Sequence, residues 1–168
     1  MTPEQAKFAA HLYCQTLENE FNATKKVLAA VPESKKSYRP DEHSRTAFEI
    51  AAHLASSDIW FLNAILNGDM SPQPDKPFNT VAEIVAYYDK EFPAAIAKIK
   101  ALPAEKLAKT IPAFGMFNLP AAAYLGFCNN HSVHHRAQLA TYLRPMGSKV
   151  PSIYGGSYDE PFQAAAAH

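Results

Sequence analysis

The chain has 168 residues, 48% hydrophobic and 19% charged, with 16 basic side chains against 16 acidic ones. That length suits one domain, residues 1–168, with a core it can bury unaided, and the composition excludes a disordered chain. A formal net charge of zero without a basic run argues against nucleic-acid binding, and no apolar stretch approaches the ~20 residues of a membrane span.

The first residues, MTPEQAKF, lack the charged-then-apolar order of a secretory signal. Cys14 and Cys128 are too few for a disulfide framework, so reduced thiols and a cytoplasmic location are expected. Thr2-Pro3-Glu4-Gln5 reads as a helix start, with Thr as cap and Pro in the first turn. Phe8, Leu12, Leu17, Phe21, Leu28 and Val31 recur at helical spacing, and Pro32 ends a helix predicted over about 3–31. Residues 32–45 read as a loop. Thr46-x-x-Glu49 has the capping-box form and opens a second helix, about 46–67, closed by Gly68 and carrying Ile50, Leu54, Phe61, Leu62 and Ile65. A proline-rich connection follows.

Thr80-x-x-Glu83 repeats the capping-box form and begins a third helix, about 80–102, with Ile84, Val85, Tyr88, Phe92, Ile96 and Ile99 on its apolar face. Pro93 lies inside it and predicts a kink or break near 89–93. Residues 103–117 read as a loop with a strand-like piece around Ile111–Phe117. Asn118 is the expected cap of a fourth helix, about 118–144, with Pro120 in its first turn. Its inward stripe is Tyr124, Cys128, His131, His135, Leu139 and Tyr142. The tail, 145–168, is irregular and expected to lie back across the helices; the closing AAAAH is given no structural weight. Four long helices without convincing strands give an all-α fold, a four-helix bundle.

Seven histidines are present, and three of them crowd into HSVHH at 131–135. Residues four apart on a helix share a face about 6 Å apart along the axis, so His131 and His135 can converge on one ion. Spacing alone does not choose between His134 and His135, but His135 continues the stripe toward Leu139 and Tyr142. His53 sits among Ala51, Ala52 and Ala55, small residues that let a facing helix approach, and is the candidate third ligand. Three neutral imidazoles leave coordination positions open and suit Zn, Ni, Fe or Cu alike.

The segment NHSVHHRAQLATYLRPMGSKVPSIYG is similar to the C-terminal signature of the DinB-like (YfiT-like) superfamily: a histidine pair, Arg-x-Gln-Leu, Tyr-Leu-Arg, a Gly and a Tyr-Gly ending. EIAAHLASSDIWFLNAIL resembles the second-helix segment of the same family. The resemblance implies a four-helix bundle of up-down-down-up connectivity and a divalent metal held by His53, His131 and His135, with His134 as a neighbour. It implies thiol-dependent enzymes, some transferring bacillithiol or another low-molecular-weight thiol to electrophiles, and a branch isomerising maleylpyruvate with mycothiol; members often form homodimers. Arg136, Gln138, Tyr142 and Arg144 also fit the pattern, and helix packing with salt bridging accounts for them.

The leading expectation is therefore an enzyme that uses a three-histidine metal to activate a low-molecular-weight thiol against a small-molecule electrophile. Alternatives are hydrolysis by metal-bound hydroxide and a non-catalytic metal-binding stress-response protein. Glu49, one turn before His53, is the candidate general base, although a helix cap is its commoner role; Asp58 is a weaker one. Trp60, Tyr124, Phe127 and Tyr154 are candidate pocket residues. Cys128 is a candidate fourth ligand or reactive thiol, with an inert buried cysteine the plainer reading.

Overall fold

The computed structural model describes residues 1–162, so the closing AAAAH lies outside the described residues. Among these residues are five α-helices and two short strands. Helix α1 (Pro3–Ala29) opens with the expected box, in which Thr2 and Gln5 each accept from the other's backbone N–H. Helix α2 (Ala47–Asn67) opens on the Thr46–Glu49 box and ends at Gly68, whose φ of 70° places it in the left-handed region that a glycine adopts without strain. Helix α3 (Val81–Ala101) is capped by Thr80, but Glu83 reaches one residue further back than a box requires, to the backbone N–H of Asn79.

Pro93 does not break α3, which runs continuously through it. Pro93 is exposed, so the carbonyl it leaves without a donor faces the solvent side, while Tyr88, Phe92, Ala95 and Ile96 stay buried on either side of it. Phe21 of α1 stacks on both Tyr88 and Phe92 at 5.6 Å, holding the two halves of α3 to one surface.

Residues 103–120 carry more structure than a loop. A short helix α4 (Ala104–Ala108) precedes strand β1 (Thr110–Ala113), which pairs antiparallel with β2 (Phe117–Pro120), Ile111 opposite Leu119. Phe114 and Gly115 make the turn, both at positive φ, 56° and 66°. The last long helix, α5, spans Tyr124–Leu143, after a 3-10 turn over Ala121–Ala123. Asn118 is therefore not its cap: strand pairing with Pro112 holds Asn118 in an extended ladder, and the helix starts six residues later.

The buried stripe of α1 also departs from expectation. Phe8 and Leu12 are exposed, and the face turned inward is Ala6, Ala10, Cys14, Leu17, Thr24 and Leu28. Small alanines there let α1 pack closely against α4 and the Ala121–Ala123 turn. The long helices pack as α1 on α3, α3 on α2, α2 on α5 and α5 on α1. Cross-contacts fix the registers: Lys7 donates to the carbonyls of Lys100 and Leu102, Lys100 pairs with Glu18, and Lys25 with Asp89. Between α1 and α5, Tyr13 lies against Gly126, Arg136 pairs with Glu20, and Ser148, just past α5, donates to the carbonyl of Ala30. The tail lies back as expected, joining Tyr154 to Arg136, Glu160 to Lys26 and Asp159 to Arg144. No helix among the described residues is long and apolar enough to cross a membrane.

Candidate metal centre

Helices α2 and α5 face each other in the middle of the molecule, and their contact carries the histidines. His53 comes from α2; His131 and His135 come from successive turns of α5. One ligand atom from each lies within 4.8 Å of the others. The ring centroids are 5.1 Å apart for His53 and His131, 4.7 Å for His53 and His135, and 4.4 Å for His131 and His135. Nε2 of His53 and Nε2 of His131 are 3.2 Å apart. Two nitrogens on one tetrahedral zinc, at bonds of ~2.1 Å, stand about 3.4 Å apart, so the spacing fits a shared ion. His134 is exposed and lies beside His135, outside the group.

Each of the three rings has a different group at Nδ1. For His53 it is Asp75, whose two oxygens lie 3.0 and 3.1 Å away, with the Ser57 hydroxyl at 3.3 Å. For His131 it is Asp58, at 3.6 Å. For His135 it is the side-chain oxygen of Gln138, at 3.1 Å. A ring whose Nδ1–H is held by an acceptor, as the rings of His53 and His135 are, presents Nε2 with its lone pair free, the form that binds metal. Burial lowers the pKa of His53, against the opposing pull of Asp75, and burial together with the neighbouring His131 pushes His135 down to about 4. The rings of His53 and His135 thus favour the neutral state that a borderline divalent ion such as Zn, Ni or Fe accepts.

A cavity of about 240 Å³ opens beside the group, lined by His53, His131, Asp75, Trp60, Phe61 and Phe114 together with Pro72 and Pro74. Trp60 is steadied by donating its indole N–H to the carbonyl of Ser71, and its ring stands 5.9 Å from that of Phe114. His135 does not line this cavity.

The other residues singled out from sequence fall elsewhere. Glu49 is occupied by its helix cap, accepting from the Thr46 N–H at 2.7 Å and the Thr46 hydroxyl at 2.8 Å; these bonds hold its carboxyl below the usual range. Tyr124 is fully buried two turns before His131, its hydroxyl donating to the carbonyl of Ile111, so it anchors the hairpin and not the cavity wall. Phe127 packs on Phe117 and Tyr124, also outside the cavity. Tyr154 is exposed and sits over Arg136. Cys128 is fully buried, its thiol directed at the carbonyl of Asp58 at 3.8 Å, and it is not among the grouped residues.

Sequence reasoning passed over Phe61, Phe114 and Asp75, and weighed Asp58 for a different role. Asp58 had one available signal, a carboxylate inside the otherwise apolar run LASSDIWFL. Asp75 had none, since it lies in a connection whose path no periodicity describes.

Compared with known proteins, residues 4–165 match the model of the DinB family. The curated relatives include two Bacillus subtilis proteins, both termed uncharacterised: YjoA, 27% identical over 79% of this chain and 88% of its own, and YrdA, 29% identical over 88% and 89%. Similar solved structures include the DinB-like protein YjoA itself, TM-score 0.70 at 23% identity, covering 84% of this chain and 97% of that one. A second is a DinB-like protein from Bacillus cereus, TM-score 0.73 at 22% identity, covering 84% and 95%.

Proposed function

The chain belongs to the DinB family, and from that premise we propose that it is a metal-dependent enzyme transferring a low-molecular-weight thiol to an electrophilic small molecule. One observation carries the proposal: three imidazoles from two helices converge beside a largely apolar cavity, with a polar partner behind each ring. His53, His131 and His135 would hold the metal, Zn, Ni or Fe. When bound, it supplies a positive charge that lowers the pKa of a thiol brought to it.

The chain's own residues account for the rest. Asp75 fixes the ring of His53. Trp60, Phe61 and Phe114 offer an apolar surface to the electrophile and keep water from it. The thiol has to come from outside the chain. Cys14 and Cys128 are both fully buried, and burial pushes the Cys14 thiol up to about 11 and Cys128 well above its ordinary value. Hydrolysis would be served by a free carboxylate near the cavity, and none stands free among the described candidates: Glu49 caps α2, Asp75 is on His53, and Asp58 is behind His131. That favours thiol transfer.

The same proposal takes the chain as a single four-helix bundle of up-down-down-up connectivity. Its support is the contact registers. Lys7 meets the end of α3 while Lys25 meets its middle, which is antiparallel order. Tyr13, Glu20 and Ala30 meet Gly126, Arg136 and Ser148 in turn, which is parallel order.

The test is a turnover assay of a generic aromatic halide with several low-molecular-weight thiols, comparing metal-loaded and chelator-stripped protein. Thiol-dependent turnover lost on stripping and lost in His53→Ala supports the proposal. Equal turnover in the stripped protein removes it.

A further inference from the structure

We propose that Asp58 is a positioning residue of the metal centre, its buried carboxylate holding Nδ1–H of His131 so that Nε2 of that ring is presented to the ion. The inference rests on the metal reading above and deepens it.

Asp58 is 0% exposed, in the middle of α2. A carboxylate in a core costs several kcal/mol unless it is paired and hydrogen-bonded. One oxygen, Oδ2, accepts from the Tyr88 hydroxyl at 3.3 Å. The other, Oδ1, has no hydrogen-bond partner, and neither has Nδ1 of His131, which lies 3.6 Å from it. Two buried polar atoms of complementary kind thus face each other just beyond bonding distance. Native cores rarely leave such groups without a reason.

Among the described residues the surroundings supply no other cation. The groups near Asp58 are Tyr88 from α3, with Ser132, Cys128 and His131 from α5. None of its ion-pair contacts is to a lysine or arginine. Among the described residues the ring facing Oδ1 is therefore the His131 imidazole, and a divalent ion on its far nitrogen would polarise its N–H toward the carboxylate. The other two ligands are held differently, His53 by a 41% exposed loop carboxylate and His135 by a neutral amide. Asp58 is the fully buried partner of the three, and that burial pushes its carboxyl pKa up.

Zn(II) affinity, measured by competition with a chromophoric chelator, tests this on wild-type protein and Asp58→Asn, with metal-free melting temperatures alongside. The expected result is a metal-free melting temperature close to wild type and Zn(II) binding weaker by about ten- to a hundredfold. A merely structural Asp58 predicts the reverse pattern, a lowered melting temperature and unchanged affinity, and that result overturns the proposal. Should Asp58→Asn fail to fold, nitrogen-15 spectra of the wild-type histidines decide. With Zn(II) bound, His131 should keep a proton on Nδ1 that exchanges more slowly than that of His135; a metal-ligated Nδ1, or exchange as fast as His135, overturns it. Wild-type protein that binds no Zn(II) removes the metal reading and this inference together. Equal tight binding by both proteins removes this inference alone.

Discussion

The Asp75 carboxylate lies 3.0 Å from Nδ1 of His53, linking the connection after α2 to a residue near the middle of that helix. The same connection is tied to α2 twice more, through Trp60 to the carbonyl of Ser71 and through the Lys76 N–H to the Ser56 hydroxyl. A segment without regular structure is thereby fastened along the cavity, and its one carboxylate there is placed on the ring of His53.

Asp75→Ala should therefore weaken Zn(II) binding. Outer partners of ligand histidines typically contribute about ten- to a hundredfold, and the 41% exposure of Asp75 puts the expectation at the lower end. Isothermal titration against wild type measures it, and unchanged affinity would show that Ser57 alone suffices to orient the ring.

Glu49 separates a cap from a base. Glutamine serves a capping box as well as glutamate does, so Glu49→Gln should leave folding, metal affinity and any thiol-dependent turnover at wild-type levels. Thr46→Ala, which removes the cap itself, should cost ~1 kcal/mol in denaturant unfolding. A large loss of turnover in Glu49→Gln would return Glu49 to the chemistry.

His135 sets a pH dependence for the metal-free protein. Its folded pKa of about 4 lies below the ordinary value of 6.5, so the unfolded chain binds the proton first as pH falls. Its contribution to stability is complete above about pH 6.5 and is lost progressively toward pH 4. Melting temperatures across that window should fall less steeply in His135→Gln than in wild type; parallel curves would contradict the assignment.

Arg136 and Glu20 form a closed ion pair at 2.5 Å, with side chains 1% and 15% exposed. Removing one partner strands the other charge, so Arg136→Ala should cost about 3–5 kcal/mol in unfolding free energy. Arg136→Met with Glu20→Gln, which removes both charges, should recover much of that loss. A cost below 1 kcal/mol for the single change would show that water reaches the pair.

Both thiols should resist modification. Cys14 and Cys128 are 0% exposed with raised pKa values, so Ellman's reagent should titrate neither in the native protein and both after denaturation. Rapid native reaction of Cys128 would reopen its role as an internal nucleophile.

Much of the helical layout was legible because its signals are local. Thr2, Thr46 and Thr80 each cap the helix they announce, and Gly68 ends α2 where a left-handed residue is required. The four-residue spacing of His131 and His135 puts both on one face of α5 whatever surrounds them. Where neighbours compete with local preference, the pattern misled: Asn118 was drawn into a strand ladder, and Phe8 and Leu12 yielded the inner face of α1 to Ala6 and Ala10.

The partners of the three rings belong to another level. Asp58 meets His131 across 73 positions of chain, a count that follows from their numbers, and Asp75 meets His53 only because its connection folds back. Helical periodicity says which side chains share a face. It is silent on which face of a second helix comes opposite, because that is settled by how side-chain volumes fill the space between helices, a property of the packed chain as a whole.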